Sequence, residues 1–158
     1  MNTQQAKKGF TIIEVVLVLA IAGLIFLMIF IAWPALQRGQ RDTARKADAN
    51  VVVSAIGSLR SNSRGASTVT AANLKGYISS LSQYDISGNN NPITVSAATT
   101  GTTSTTPTVA SDKIVVVTSA KCNPNDATSY VGGAPRSAAV FVLLEGGGGT
   151  GVNFCQDA

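Results

Sequence analysis

From Val15 to Leu36 the chain carries no charged side chain, and nearly every position is large and aliphatic. A bilayer core needs about 20 such residues. Lys7 and Lys8 precede the run, and Arg38, Arg41, Arg45 and Lys46 follow it, so both flanks hold groups that prefer water or headgroups. The pattern predicts a membrane-spanning helix. Beyond it Ala44, Ala47, Val51, Ala55 and Leu59 recur every three or four residues, the period of one helix face. The helix is therefore expected to run from Phe10 to about Asn62, roughly 80 Å at 1.5 Å per residue. Pro34 and Gly39 are the expected place for a kink or local melting, because proline removes a backbone donor and glycine lowers helix propensity by about 1 kcal/mol.

After Asn62 the polarity changes in kind, to Ser, Thr, Gly and Asn interrupted by short apolar runs. A boundary between helix and head is expected near Ser63-Arg64-Gly65. Thr70 followed by Leu74, Tyr77, Ile78, Leu81 and Tyr84 reads as a capped amphipathic helix of about three turns, weakened by Gly76. Ile93-Thr94-Val95, Ile114 to Thr118, Ala139 to Leu144 and Val152 to Cys155 are β-branched or aliphatic runs bounded by turn residues, which predicts a small antiparallel sheet. The expected fold class is α+β, a long amino-terminal transmembrane and amphipathic helix bearing a head of one helix laid against that sheet. The Thr-rich segment 99–108 is expected as a flexible loop whose hydroxyls offer sites for O-linked sugar.

Composition narrows the chemistry. The 158 residues suit one small domain with something added. Charged residues make up 13%, against about 25% in a usual soluble domain. Histidine is absent, which removes Ser-His-Asp and Cys-His catalysis, imidazole-based zinc sites and a pH switch near neutrality. Two cysteines without a Cys-x-x-Cys spacing leave one disulfide or two buried thiols. Gly146, Gly148 and Gly151 formally satisfy G-x-G-x-x-G, but a dinucleotide site needs a following helix and an acidic residue about 20 positions on. A hairpin loop is expected there instead. No cofactor, no metal and no catalytic residue is expected. A net charge of +4 is too mild to argue for nucleic acid by itself.

Glu14 stands out, since an ionisable group at the start of a membrane helix is costly and by default marks a function. A secretory signal cut after Ala22 is the plain alternative. It would leave Leu24 to Leu36 as an apolar amino terminus and place Glu14 inside the short apolar part. The segment Lys7-Lys8-Gly9-Phe10-Thr11-Ile12-Ile13-Glu14 resembles the cleavage and assembly motif of type IV prepilins and their pseudopilin relatives. The resemblance implies that a prepilin peptidase cuts after Gly9 on the cytoplasmic side and methylates the new amino terminus, Phe10. It also implies that Glu14 acts in assembly through the amine of Phe10. Residues four apart on a helix lie about 6 Å apart along the axis, so the pair can close within one chain or between neighbouring subunits, and both arrangements stay open. Such a pair would set register more than it adds stability, because desolvation offsets the attraction.

The resemblance divides the chain into a leader at 1–9, a transmembrane half of the helix at 10–36, an amphipathic continuation at 37–62 and a globular head at 63–158. Its implied partners are other pilin subunits in a homopolymer, the prepilin peptidase, the assembly machinery in the membrane, and the membrane itself before assembly. The implied location is a single-pass inner membrane protein that ends in a cell-surface pilus. Four basic residues after the span and two before it favour the opposite orientation on the positive-inside count, and the resemblance overrides that count. Arg41, Asp42, Arg45 and Lys46 read as solvated or interface charge, with Asp42 and Lys46 at i,i+4. Some members of the family bind DNA, but no aromatic residue is interleaved here to support a nucleic-acid partner. Export makes a bridge between Cys122 and Cys155 the expectation, worth about 3–4 kcal/mol by loop entropy, with two reduced core cysteines as the alternative. Within this family a pilus subunit and a pseudopilin of a secretion or competence system are both open, and a membrane-anchored binding domain is the reading from another class.

Overall fold

The structure, a computed structural model, describes residues 9–64, 68–98, 103–146 and 151–158. Lys7 and Lys8 of the leader, Gly65 of the expected boundary, residues 99–102 of the Thr-rich segment and Gly148 lie outside the described residues. The chain forms two compact units, one through Gln37 and one from Arg38 onward. Helix α1 spans Ile12–Asn62, with Pro34 inside it and residues 34–39 helical. In the first unit the large apolar side chains are exposed, and none of the apolar window is buried. A surface of this kind has no aqueous resting place, so a bilayer is its natural solvent.

The second unit folds around the carboxy-terminal turns of α1. Their buried face is Asp48, Ala49, Val52, Ala55, Ile56 and Leu59. Ala47 and Val51, expected on that face, are exposed. The stripe is turned by one residue, because Asp48 lies in it and a sequence reading excludes a carboxylate from an apolar face. The helix ends where Arg64 takes a left-handed conformation at φ 50°, with Ser63 donating from its backbone to Leu59 O at 3.1 Å.

Strands follow as β1 (Ile93–Ala97), β2 (Ile114–Thr118), β3 (Ala120–Asn123), β4 (Asp126–Gly132), β5 (Ala138–Leu144) and β6 (Val152–Asp157). One sheet has the order β1-β2-β5-β6 and a second pairs β3 with β4. The fold is α+β. The main sheet is mixed where an antiparallel one was expected, because β1 pairs parallel to β2. A parallel neighbour requires a crossover connection, and the segment carrying the Thr-rich residues supplies it. Its second part is tied down: Thr105 and Tyr130 exchange backbone hydrogen bonds at 2.9 Å, and Asn153 Nδ2 donates to Pro107 O at 2.8 Å. Residues 103–108 are a loop, as expected, held to the head at these two points.

Alternation along β2 and β5 builds two cores. Ile114, Val116, Ala138, Val140 and Val142 meet the α1 face together with Leu74, Ile78 and Tyr84. Val115, Val117, Ala139 and Phe141 point the other way, against Ala120 and Tyr130 of the small sheet. Tyr130 and Phe141 meet edge to face with centroids 6.1 Å apart. The head thus has three layers rather than one helix on one sheet, and the covering helix is α1 itself. Each fully buried Val, Ile or Phe contributes about 1.5–3 kcal/mol.

The expected three-turn helix after Thr70 is short. Helix α2 is Ala71–Lys75, capped by the Thr70 side chain on Asn73 N. It ends at Gly76, and the backbone N–H groups of Ser82 and Gln83 are taken by the Asp48 carboxylate, both at 2.7 Å. Leu74, Ile78 and Tyr84 are buried all the same, whereas Leu81 is half-buried and Tyr77 exposed, so the expected apolar face is met in part while the backbone beyond Lys75 is not helical.

Candidate functional site

The amino-terminal segment is assembled locally. Gly9 and Phe10 precede α1, and Phe10 is 89% exposed. A Cβ added to Gly9 would meet nothing within 4 Å, so nothing among the described residues requires glycine there. Thr11 stands immediately before the helix, and Glu14 lies in its first turn. Thr11 N and Thr11 Oγ1 both donate to Glu14 Oε2 at 2.8 Å, and Glu14 N donates to Thr11 Oγ1 at 3.4 Å. This is a reciprocal capping box, in which two backbone donors at the helix start find partners. Its signal, Thr-x-x-Glu before an apolar run, stands in the sequence at Thr11 to Glu14, and reading Glu14 for assembly alone missed it. The helix amino terminus also favours a carboxylate at this position. Phe10 and Glu14 border one surface cleft with Val15, Val18 and Leu19, so the structure brings the two motif residues to a common place.

Pro34 and Gly39 are brought to no site. Gly39 O accepts from Thr43 Oγ1 at 2.8 Å. Cys122 and Cys155 are joined by a disulfide, with Cα atoms 5.8 Å apart. Both sit within strands, Cys122 in β3 and Cys155 in β6. The bridge therefore ties the small sheet to the edge of the main one. Cys122 N also donates to Asp157 Oδ1 at 2.7 Å.

The charged turns from Arg38 to Asp48 act on the head rather than standing in solvent. Arg41 Nε and Nη2 donate to the two oxygens of Glu145 at 2.8 and 2.7 Å. Arg45 adds an ion pair to Glu145 at 3.3 Å and donates to Leu143 O at 2.9 Å. Asp42 returns the contact by accepting from Glu145 N at 2.7 Å. The hydrogen bond from Arg41, and then the fields of Arg41, Arg45 and Arg38, hold the Glu145 carboxyl below its ordinary pKa against a smaller desolvation effect. Lys46 Nζ lies 5.1 Å from the Phe154 ring centroid. The i,i+4 spacing on the helix gave no hint of these partners, since Glu145 is about a hundred residues away in the chain. Among the described residues no cluster of three or more metal-ligating side chains occurs.

Residues 4–30 match the family model of the prokaryotic N-terminal methylation motif. No curated protein and no solved structure matches the chain. Residues 4–30 thus carry the type IV prepilin signature, and they lie at the start of an apolar helix long enough to anchor in a membrane.

Proposed function

We propose that the protein is a structural subunit of an extracellular type IV pilus, cut after Gly9, methylated on Phe10 and polymerised through its apolar helix. The observation that carries the reading is the methylation motif at residues 4–30 on a helix whose large side chains are exposed from Phe10 onward. The leader, 1–9, stays with the cytoplasmic side. Residues 10–36 anchor the subunit, 37–62 continue the helix, and 63–158 form the part that faces outward. The open space at Gly9 supports its role as a residue read by the peptidase, since the described residues make no demand for glycine there.

Cleavage changes the charge balance at the helix start. The backbone nitrogen of Phe10 becomes an ammonium or methylammonium, beside a carboxylate already oriented by Thr11. In hydrocarbon an isolated Glu14 costs about 2.5–3.5 kcal/mol at mid-bilayer and less near the interface. A neighbouring subunit's Phe10 amine neutralises it and selects one axial register. Moving the helix from lipid into a filament exchanges one apolar surrounding for another, so packing and this pair decide the outcome. No step of this assembly asks for enzymatic chemistry from the subunit itself.

Electron microscopy of filaments sheared from cells that express the protein, with peptide identification, tests the reading. Filaments containing this chain with a mature start at Phe10 support it. Processed protein that stays in the cell envelope favours a pseudopilin, and unprocessed monomer favours an anchored binding domain.

A further inference from the structure

Near the carboxy-terminal end of α1 the head holds a cavity of about 220 Å³ bordered by Arg60 and Arg136 together with Thr68, Thr118 and Ser119. Among the described residues no carboxylate borders it. Among the described residues the ion pairs are those of Arg41 and Arg45 with Glu145, so neither Arg60 nor Arg136 has an acidic partner. The other carboxylates of the head that accept hydrogen bonds are engaged elsewhere: Asp42 and Asp48 on distant backbone donors, Asp85 and Asp126 in their own turns, Asp157 on Cys122. Partial burial, and then the charge of Arg136, push the Arg60 pKa below the ordinary guanidinium value. The last-turn dipole of α1 accounts for one cation there. It gives no reason for a second beside it.

The wall of this cavity is built with some strain. Ser119 adopts a left-handed backbone at φ 56°, which costs a non-glycine residue of order 1–2 kcal/mol. The conformation is held from both sides, by Ser119 N donating to Ser137 O at 2.9 Å and Gly133 N donating to Ser119 O at 2.8 Å. A Cβ on Gly133 would collide with Ser137 Oγ and the Ala120 backbone, so this corner is close-packed. Two guanidinium groups with hydroxyl donors nearby match the oxygens of a phosphate, which arginine binds through paired N–H groups.

We propose that this pocket binds a phosphate-type oxyanion, with Arg60 and Arg136 supplying charge and Thr68 and Ser119 supplying hydroxyl donors, the Thr118 hydroxyl being given to Ser96 O. The cavity is smaller than the roughly 300–1,000 Å³ that holds a drug-sized ligand. It therefore takes one anionic group, either free phosphate or a phosphate ester carried on a larger molecule.

Calorimetric titration of the full-length protein in detergent micelles with inorganic phosphate, at fixed ionic strength and with chloride in the reference, tests the site. Saturable one-to-one binding that weakens at least tenfold in Arg60→Gln and in Arg136→Gln, and is unchanged in Arg38→Gln, is the expected result. The Arg136 side chain is exposed, so circular dichroism and an intact disulfide should show that variant folded. Absence of saturable binding overturns the proposal, as does equal binding by folded Arg136→Gln or loss of binding in Arg38→Gln. A sugar phosphate monoester is titrated in the same way. Binding at least as tight as that of phosphate identifies an ester as the source, and weaker binding identifies the free ion, the site standing in both cases.

Discussion

Arg41 holds Glu145 by both carboxylate oxygens, at 2.8 and 2.7 Å, and so fastens the start of the head's supporting helix to the end of a central strand. Bidentate geometry fixes orientation as well as distance. The pair is partly open to solvent, with side chains 42% and 27% exposed, so its role is to set where β5 ends against α1 more than to supply stability.

The Glu145 carboxyl titrates below its ordinary value of 4.5 because Arg41 bonds its charged form. A group whose pKa is depressed on folding contributes stability that is present above the unfolded value and fades as pH falls through the folded one. Thermal melts in detergent should therefore lose a component below about pH 4.5, the ordinary carboxyl value. Glu145→Gln should melt lower at neutral pH and lack that component. Identical pH profiles for the two proteins would show that Glu145 is not linked to folding.

Asp48 is buried and takes the N–H groups of both Ser82 and Gln83. Asp48→Ala leaves two backbone donors without partners and should cost about 2–6 kcal/mol, counting about 1–3 kcal/mol for each. Hydrogen exchange should accelerate at the amides of Ser82 and Gln83 ahead of those in β2 and β5. Unchanged protection at those two amides would contradict the assignment.

Mass spectrometry of mature protein should find N-methyl-Phe10 as the first residue. Gly9→Val should block processing while leaving the head folded, because a Cβ at that position meets nothing among the described residues. A mature start at Gly23, or efficient cleavage of the Val variant, would sink the prepilin reading of this segment.

Glu14→Leu removes the carboxylate and its side of the capping box. Insertion into the membrane should be intact or improved, and cleavage and head folding unchanged, yet few filaments should reach the surface. Thr11→Val separates the two roles of Glu14, since it loses the side-chain cap, worth about 1 kcal/mol, while keeping the charge. Filament numbers should fall much less for Thr11→Val than for Glu14→Leu. Equal filament loss in both would assign Glu14 to capping alone.

Peptide mapping without reductant should recover Cys122 and Cys155 in one linked species. Cys155→Ser should lower stability by about 3–4 kcal/mol on the loop-entropy model and loosen β3 and β4 first, because the bridge joins the small sheet to β6. Two alkylatable thiols in exported protein would refute this.

What a linear reading could see was set by the range of the forces involved. The apolar run, the α1 end at Asn62 and the limits of β2 follow from local pattern, and each appeared where the sequence put it. The β3–β4 pair was hidden because Lys121-Cys122-Asn123-Pro124-Asn125-Asp126 has the composition of a loop. These strands gain their burial from the far face of β2 and β5, through Ala120 and Tyr130. The truncation of α2 is equally non-local, since Asp48 draws the Ser82 and Gln83 amides from 34 and 35 residues away. At the amino terminus the motif at residues 4–30 is a local signal, and so is the Thr11 cap, whose Thr-x-x-Glu spacing places both its partners on the same four residues that carry the assembly motif.

The cross-link between β3 and β6 has a mechanical consequence. A chain under tension lengthens by releasing contour, about 3.3–3.6 Å for each residue pulled straight. The residues between Cys122 and Cys155, separated by 33 in sequence, cannot join that extension while the bridge is intact. Roughly 110 Å of slack is thereby withheld on the same per-residue length. A subunit pulled through its ends would yield from the helix and the crossover segment, and it would keep β4 and β5 inside a covalent ring from which the head can recoil.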